Sequence, residues 1–121
     1  MSVFYYCPKC KDVKAFKEEP EEVRPAWVKL NPNTVDAAKE KHVPVITKEG
    51  NKVHVAVGAV PHPMTPVHYI SQILIETDKG FKSVALTPEN KPEADFELEE
   101  GEKLLAAYEY CTLHGFWSAK A

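Results

Sequence analysis

The chain has 121 residues, of which 44% are hydrophobic and 27% charged, with a net charge of −3. This length suits one domain with a small appendage, and no apolar run approaches the roughly 20 residues of a membrane helix. A negative balance argues against a nucleic-acid partner, which would meet a basic face; the acid is concentrated in EEPEE (18–22) and ELEEGE (97–102), read as solvated turns.

Residues 1–33 read as an extension. MSVFYYCPKC has neither the basic n-region nor the apolar h-region of an export signal, so a cytoplasmic location is expected. Three cysteines are an odd count, and in a cytosolic chain such residues serve as metal ligands or reactive thiols more often than as a disulfide framework. Prolines at 20, 25 and 32 predict an extended, poorly periodic stretch. TVDAAKEK (34–41) predicts about two turns of helix, with Thr34 or Asn33 as N-cap and Pro44 forbidding continuation.

From there to residue 121 every segment reads as strand. VPVIT (43–47) leads through KEGN to KVHVAVGAV (52–60), with Val53, Val55 and Val57 on one face and His54 turned to solvent. VHYISQILIET (67–77) turns at Asp78-Lys79-Gly80 into FKSVALT (81–87), followed by ADFEL (94–98) and KLLAAYEYCT (103–112). Short strands separated by Pro- and Gly-rich turns predict an all-β sandwich or barrel, and long edge strands make a homo-oligomer the expected state.

His42, His62, His68 and His114 each sit at a strand edge or in a loop, where ligand-bearing side chains usually live. His62 and His68 flank the stiff PMTP segment, and Cys111 and His114 form a C-x-x-H pair. Four imidazoles and one thiolate are one ligand too many for the closed tetrahedron of structural zinc. Imidazole suits iron, copper and nickel as well, and four nitrogens in a plane with sulfur below leave one octahedral position open. Thiolate-ligated haems use the same arrangement to push electron density onto bound oxygen, so the set points to redox chemistry on a small oxygen species.

EKHVPVI, VGAVPHPM followed by H-Y-I, and EYCTLHGFW together resemble superoxide reductases of the desulfoferrodoxin and neelaredoxin family. The resemblance runs from about residue 40 to 118, with Tyr69 standing where a tryptophan is common. It implies an immunoglobulin-like β-sandwich of about seven strands over residues 34–121. It also implies one non-haem iron per chain, with His42, His62, His68 and His114 equatorial and Cys111 axial. The implied reaction is one-electron reduction of superoxide to hydrogen peroxide, with a rubredoxin-like electron donor. Lys41 would steer the substrate and organise water, and Glu40 would be the carboxylate that takes the sixth position on ferric iron.

C-P-x-C at 7–10 is a knuckle typical of zinc ribbons and rubredoxin-like iron sites, but no second cysteine pair exists, and Lys11 stands where a glycine often follows. Three readings stay open: Cys7 and Cys10 share a second metal across a dimer, they are vestigial or form a reversible disulfide, or they recruit another ligand. The rival reading of the whole chain is a zinc-binding structural or interaction module using Cys7, Cys10, Cys111 and His114, which leaves the other three histidines unexplained. A cupin-like oxygenase lacks its paired H-x-H, and a Cys111–His114 nucleophile lacks an orienting group.

Overall fold

The structure, a computed structural model, describes residues 2–34, 39–58 and 62–121, without the side chains of residues 39 and 40. It divides into two compact units, Met1–Asn31 and Pro32–Ala121.

The first unit is more ordered than its prolines suggest. Strands β1 (Val3–Cys7), β2 (Asp12–Phe16) and β3 (Val28–Leu30) form an antiparallel sheet in the order β2-β1-β3. Pro20 and Pro25 lie in the connection between β2 and β3, and Pro32 follows β3, so the prolines punctuate the strands rather than abolish them. Phe4, Tyr5, Cys7 and Val13 are buried, and the rings of Tyr5, Phe16 and Trp27 gather at centroid spacings of 6.1–6.3 Å. Lys11 closes the β1–β2 turn with φ of 55° and donates its N–H to the Cys7 carbonyl at 2.7 Å. A left-handed conformation costs a residue with a Cβ roughly 1–2 kcal/mol. Lys11→Gly is therefore expected to stabilise this unit by about 1 kcal/mol, read as a higher denaturant midpoint for the full chain; an unchanged or lower midpoint would show that the turn carries no strain.

The second unit holds one described helical turn, α1 (Lys39–His42), and seven strands: β4 (Pro44–Glu49), β5 (Lys52–Val57), β6 (Ile70–Thr77), β7 (Gly80–Ala85), β8 (Glu93–Glu97), β9 (Leu104–Cys111) and β10 (Gly115–Lys120). They make two antiparallel sheets, β10-β9-β6-β7 and β4-β5-β8, the four-plus-three division of an immunoglobulin-like sandwich. Valines 53, 55 and 57, isoleucines 70, 73 and 75, Phe96, Leu98, Ala107 and Cys111 form the core, so Cys111 sits at the end of an apolar interior. Ile70 and Ile73 share that interior despite an odd spacing because β6 carries a register shift against β9 between Ile70 and Gln72.

The expected helix over 34–41 falls partly outside the described residues. Asn33, one of its two expected caps, adopts φ of 62° and is committed to β10: its side chain accepts from the Ser118 N–H at 2.9 Å and donates to the Ser118 hydroxyl. The strand expected from residue 67 begins at Ile70, since Thr65-Pro66-Val67-His68 forms a turn instead. Strand β10 has no counterpart among the expected strands. Phe116 and Trp117 are both buried, which hides the alternation that would have announced it. His54 lies as expected on the outer side of β5, hydrogen-bonded to Asp95 at 2.7 Å.

Candidate metal centre

Each of the five expected ligands is set by a different local device. His42 ends α1, directly before the chain enters β4. His62 follows residues 59–61, which lie outside the described ones, and its ring bonds the Pro63 carbonyl through Nδ1 at 2.6 Å. A carbonyl can only accept, so Nδ1 carries the proton and Nε2 is left as the donor atom. His68 is held by a two-way bridge to Thr65, N–H to carbonyl at 3.1 Å and carbonyl to N–H at 2.9 Å. Cys111 is the last residue of β9, and the turn that follows returns the His114 N–H to its sulfur at 3.4 Å. Gly115, at φ of 81°, then pairs with Cys111 to open β10.

These devices close one ring. The centroid of His42 lies 4.8 Å from that of His62, His62 4.7 Å from His68, His68 4.9 Å from His114, and His114 4.8 Å from His42. Adjacent rings are inclined at 63–85°, a pinwheel in which each imidazole turns its edge to the next. The Cys111 sulfur lies 3.4 Å from Nε2 of His62. Two overlapping sets, His42–Cys111–His114 and His62–His68–Cys111, have ligand atoms within 4.8 Å of one another. Nε2 of His68 and Nδ1 of His114 are buried without a hydrogen-bond partner. Buried polar atoms in a native interior are normally satisfied, and a cation at the centre of the ring would satisfy these two. The residues therefore fit a metal, and the nitrogen-rich set with one thiolate fits iron.

The surroundings stiffen the ring. Trp117, fully buried, stacks on His42 at 5.1 Å and 14°, and its indole N–H bonds the His114 carbonyl at 3.0 Å. Burial first, and then the neighbouring His62, His114 and His68, drive the His42 pKa down to about 4. Burial also lowers His62 and His68. The histidines thus favour the neutral form that binds metal. In the metal-free protein their folded pKa values lie below the unfolded value of about 6.5, so the unfolded chain binds more protons in that window. Stability is accordingly expected to fall between about pH 6.5 and pH 4, by about 1.4 kcal/mol per pH unit for His42 alone. Denaturant titrations of the metal-free protein across that range test this, and a flat profile would contradict it.

Glu109 escaped the sequence reading. It is fully buried on β9, and its carboxylate, which has no hydrogen-bond partner, lies 3.6 Å from Nδ1 of His42. Burial raises its pKa well above the usual carboxylate value; with His42 pushed the other way, the two are neutral together in the metal-free protein rather than an ion pair. A signal existed: in KLLAAYEYC, position 109 alternates with the inward Ala107 and Cys111, an unusual place for a glutamate. Lys41 is exposed on α1 beside His42, and its charge helps to lower His42, His62 and His68. The side chain of Glu40 is outside the described ones. Both described clusters of metal-capable side chains lie in the second unit, and neither includes Cys7 or Cys10, so the zinc module drawn on those cysteines finds no support.

The protein-family model for desulfoferrodoxin matches residues 34–120, which contain the whole ring. The desulfoferrodoxin of Clostridium acetobutylicum is 47% identical over 92 residues, covering 75% of this chain and 70% of that protein. The one from Syntrophotalea carbinolica is 52% identical over 92 residues, covering 75% and 71%. Among solved structures, the superoxide reductase from Treponema pallidum superposes with a TM-score of 0.84 at 36% identity, covering 97% of this chain and 98% of that one. The superoxide reductase from Giardia intestinalis gives 0.59 at 33%, covering 69% and 98%. A family match spanning the seven-stranded unit, together with relatives this similar over most of their length, places the chain in the desulfoferrodoxin family.

Proposed function

We propose that the chain reduces superoxide to hydrogen peroxide at one iron held by His42, His62, His68, His114 and Cys111. The observation that carries this is the closed ring of four imidazoles next to a buried cysteine sulfur, in a family whose structural relatives are named superoxide reductases. Bound there, iron would supply the single electron, and superoxide, one electron and two protons balance to hydrogen peroxide.

The chain's own residues do the rest. The imidazoles, kept neutral by burial, offer nitrogen lone pairs without adding charge. His114 and Leu113 backbone N–H groups favour the Cys111 thiolate against a burial that otherwise raises its pKa. Lys41 is proposed to attract the anionic substrate, since its ammonium is exposed where its field reaches the ring. Glu40, its neighbour in sequence, is proposed as a carboxylate serving the same site. A small rubredoxin-like electron carrier, a cytoplasmic setting and a homo-oligomer complete the reading; the exposed edge strands of both sheets support the last.

The test is metal content and superoxide consumption of protein produced anaerobically with iron. About one iron per chain, with superoxide consumed in proportion to the reductant supplied, is the expected result; zinc alone and no superoxide reaction would overturn it. Lys41→Ala is expected to keep the iron while slowing the reaction about tenfold at low ionic strength. The deficit should shrink as salt screens the field, and an unchanged salt dependence would remove the steering role.

A further inference from the structure

Cys7 and Cys10 take no part in the ring, yet they are arranged as a unit. Cys7 is buried at the end of β1, Cys10 is exposed on the following turn, and the Cys10 N–H donates to the Cys7 sulfur at 3.2 Å. The two thiols are hydrogen-bonded to each other. Their sulfurs border a cavity of about 270 Å³ whose other lining residues include Lys9, Lys14, Arg24 and Trp27. Cations and backbone N–H groups around a cysteine stabilise its thiolate, and the Cys7 pKa is lowered, first by the Cys10 thiol and then by the Cys10 backbone N–H. A metal is poorly served here. The first unit contains no histidine and no further cysteine, and the nearby Asp12 is engaged with Lys14 at 3.1 Å.

We propose that Cys7 and Cys10 are a peroxide-oxidisable dithiol that closes to an intrachain disulfide. The Cys7 thiolate attacks a peroxide oxygen: an S–O bond forms, the O–O bond breaks, and with one proton taken up the leaving oxygen departs as water. The Cys10 thiol then attacks the Cys7 sulfur, the S–S bond forms, the S–O bond breaks, and a second water leaves. Two thiols and one hydrogen peroxide become one disulfide and two waters. The oxidant is the product of the reaction proposed above, so the biological role rests on that reading, whereas the chemistry of the pair needs only peroxide.

The experiment uses the reduced, iron-loaded full chain, one equivalent of added hydrogen peroxide, acid quenching, alkylation and mass spectrometry. The expected result is a peptide containing Cys7 and Cys10 that is lighter by two hydrogens, resists alkylation and is restored by dithiothreitol. Cys10→Ser, a change on an exposed turn, should stop the reaction at a sulfenic acid on Cys7 that dimedone traps. Cys7→Ser should leave Cys10 reacting about tenfold more slowly. Both thiols remaining alkylatable after peroxide would overturn the proposal. So would zinc or iron bound at half an equivalent beyond the ring and protecting both sulfurs. Because peroxide is added directly, a failure of superoxide reduction leaves this outcome readable on its own.

Discussion

Replacing Cys111 with serine is expected to bleach the visible absorption of the oxidised, iron-loaded protein and to weaken iron binding by more than about 100-fold, since even groups behind a metal ligand are worth 10–100-fold. The sulfur is the one soft donor in the ring, and a serine hydroxyl at neutral pH is neither ionised nor polarisable enough to replace it. The fold has little reason to respond. Serine is close to cysteine in size, Cys111 is fully buried at the end of the core, and the His114 N–H retains an oxygen to bond. Metal-free Cys111→Ser should therefore unfold within about 1–2 kcal/mol of the parent. Absorption and circular dichroism together decide the matter: a colour unchanged in the variant would remove Cys111 from the ligand set.

Glu109→Met is expected to move metal affinity and stability in opposite directions. Without metal the Glu109 carboxylate is buried with no partner, and an unsatisfied buried polar group costs about 1–3 kcal/mol. Methionine has a similar length and no polar oxygen, so the metal-free variant should be about 1–3 kcal/mol more stable. The pH dependence carries a definite sign. Because the folded pKa of Glu109 is raised, the native state binds more protons than the unfolded one above about pH 4.5, and the parent loses stability as pH rises towards the folded value. The advantage of the variant should grow over the same window. Iron binding should instead weaken by about 10–100-fold, because the carboxylate 3.6 Å from Nδ1 of His42 is placed to orient that ring. Equal iron affinity in parent and variant would reduce Glu109 to a packing residue.

The second unit was legible because its strands alternate cleanly. In β5 the valines at 53, 55 and 57 all face the core, and the turn at Gly80 falls where Asp78-Lys79-Gly80 marks it. The first unit was not, because three-residue β3 and the aromatic gathering of Tyr5, Phe16 and Trp27 depend on contacts made across its sheet. Strand β10 was hidden for the same reason: burial on both faces removes the period of two by which a strand is recognised.

Residue chemistry and spacing alone determined the ligand candidates of the ring and the family they resemble, since side-chain type and the C-x-x-H interval are local properties. The seven-strand class followed from turns and alternation, which are also local. Only the tertiary structure decided that the four imidazoles close a ring with edges of 4.7–4.9 Å, because that depends on strand ends far apart in sequence meeting through the pairing of β6 with β9 and β9 with β10. It alone revealed Glu109 behind His42 and the joined thiols of Cys7 and Cys10. A side chain's burial and partners are set by what folds against it.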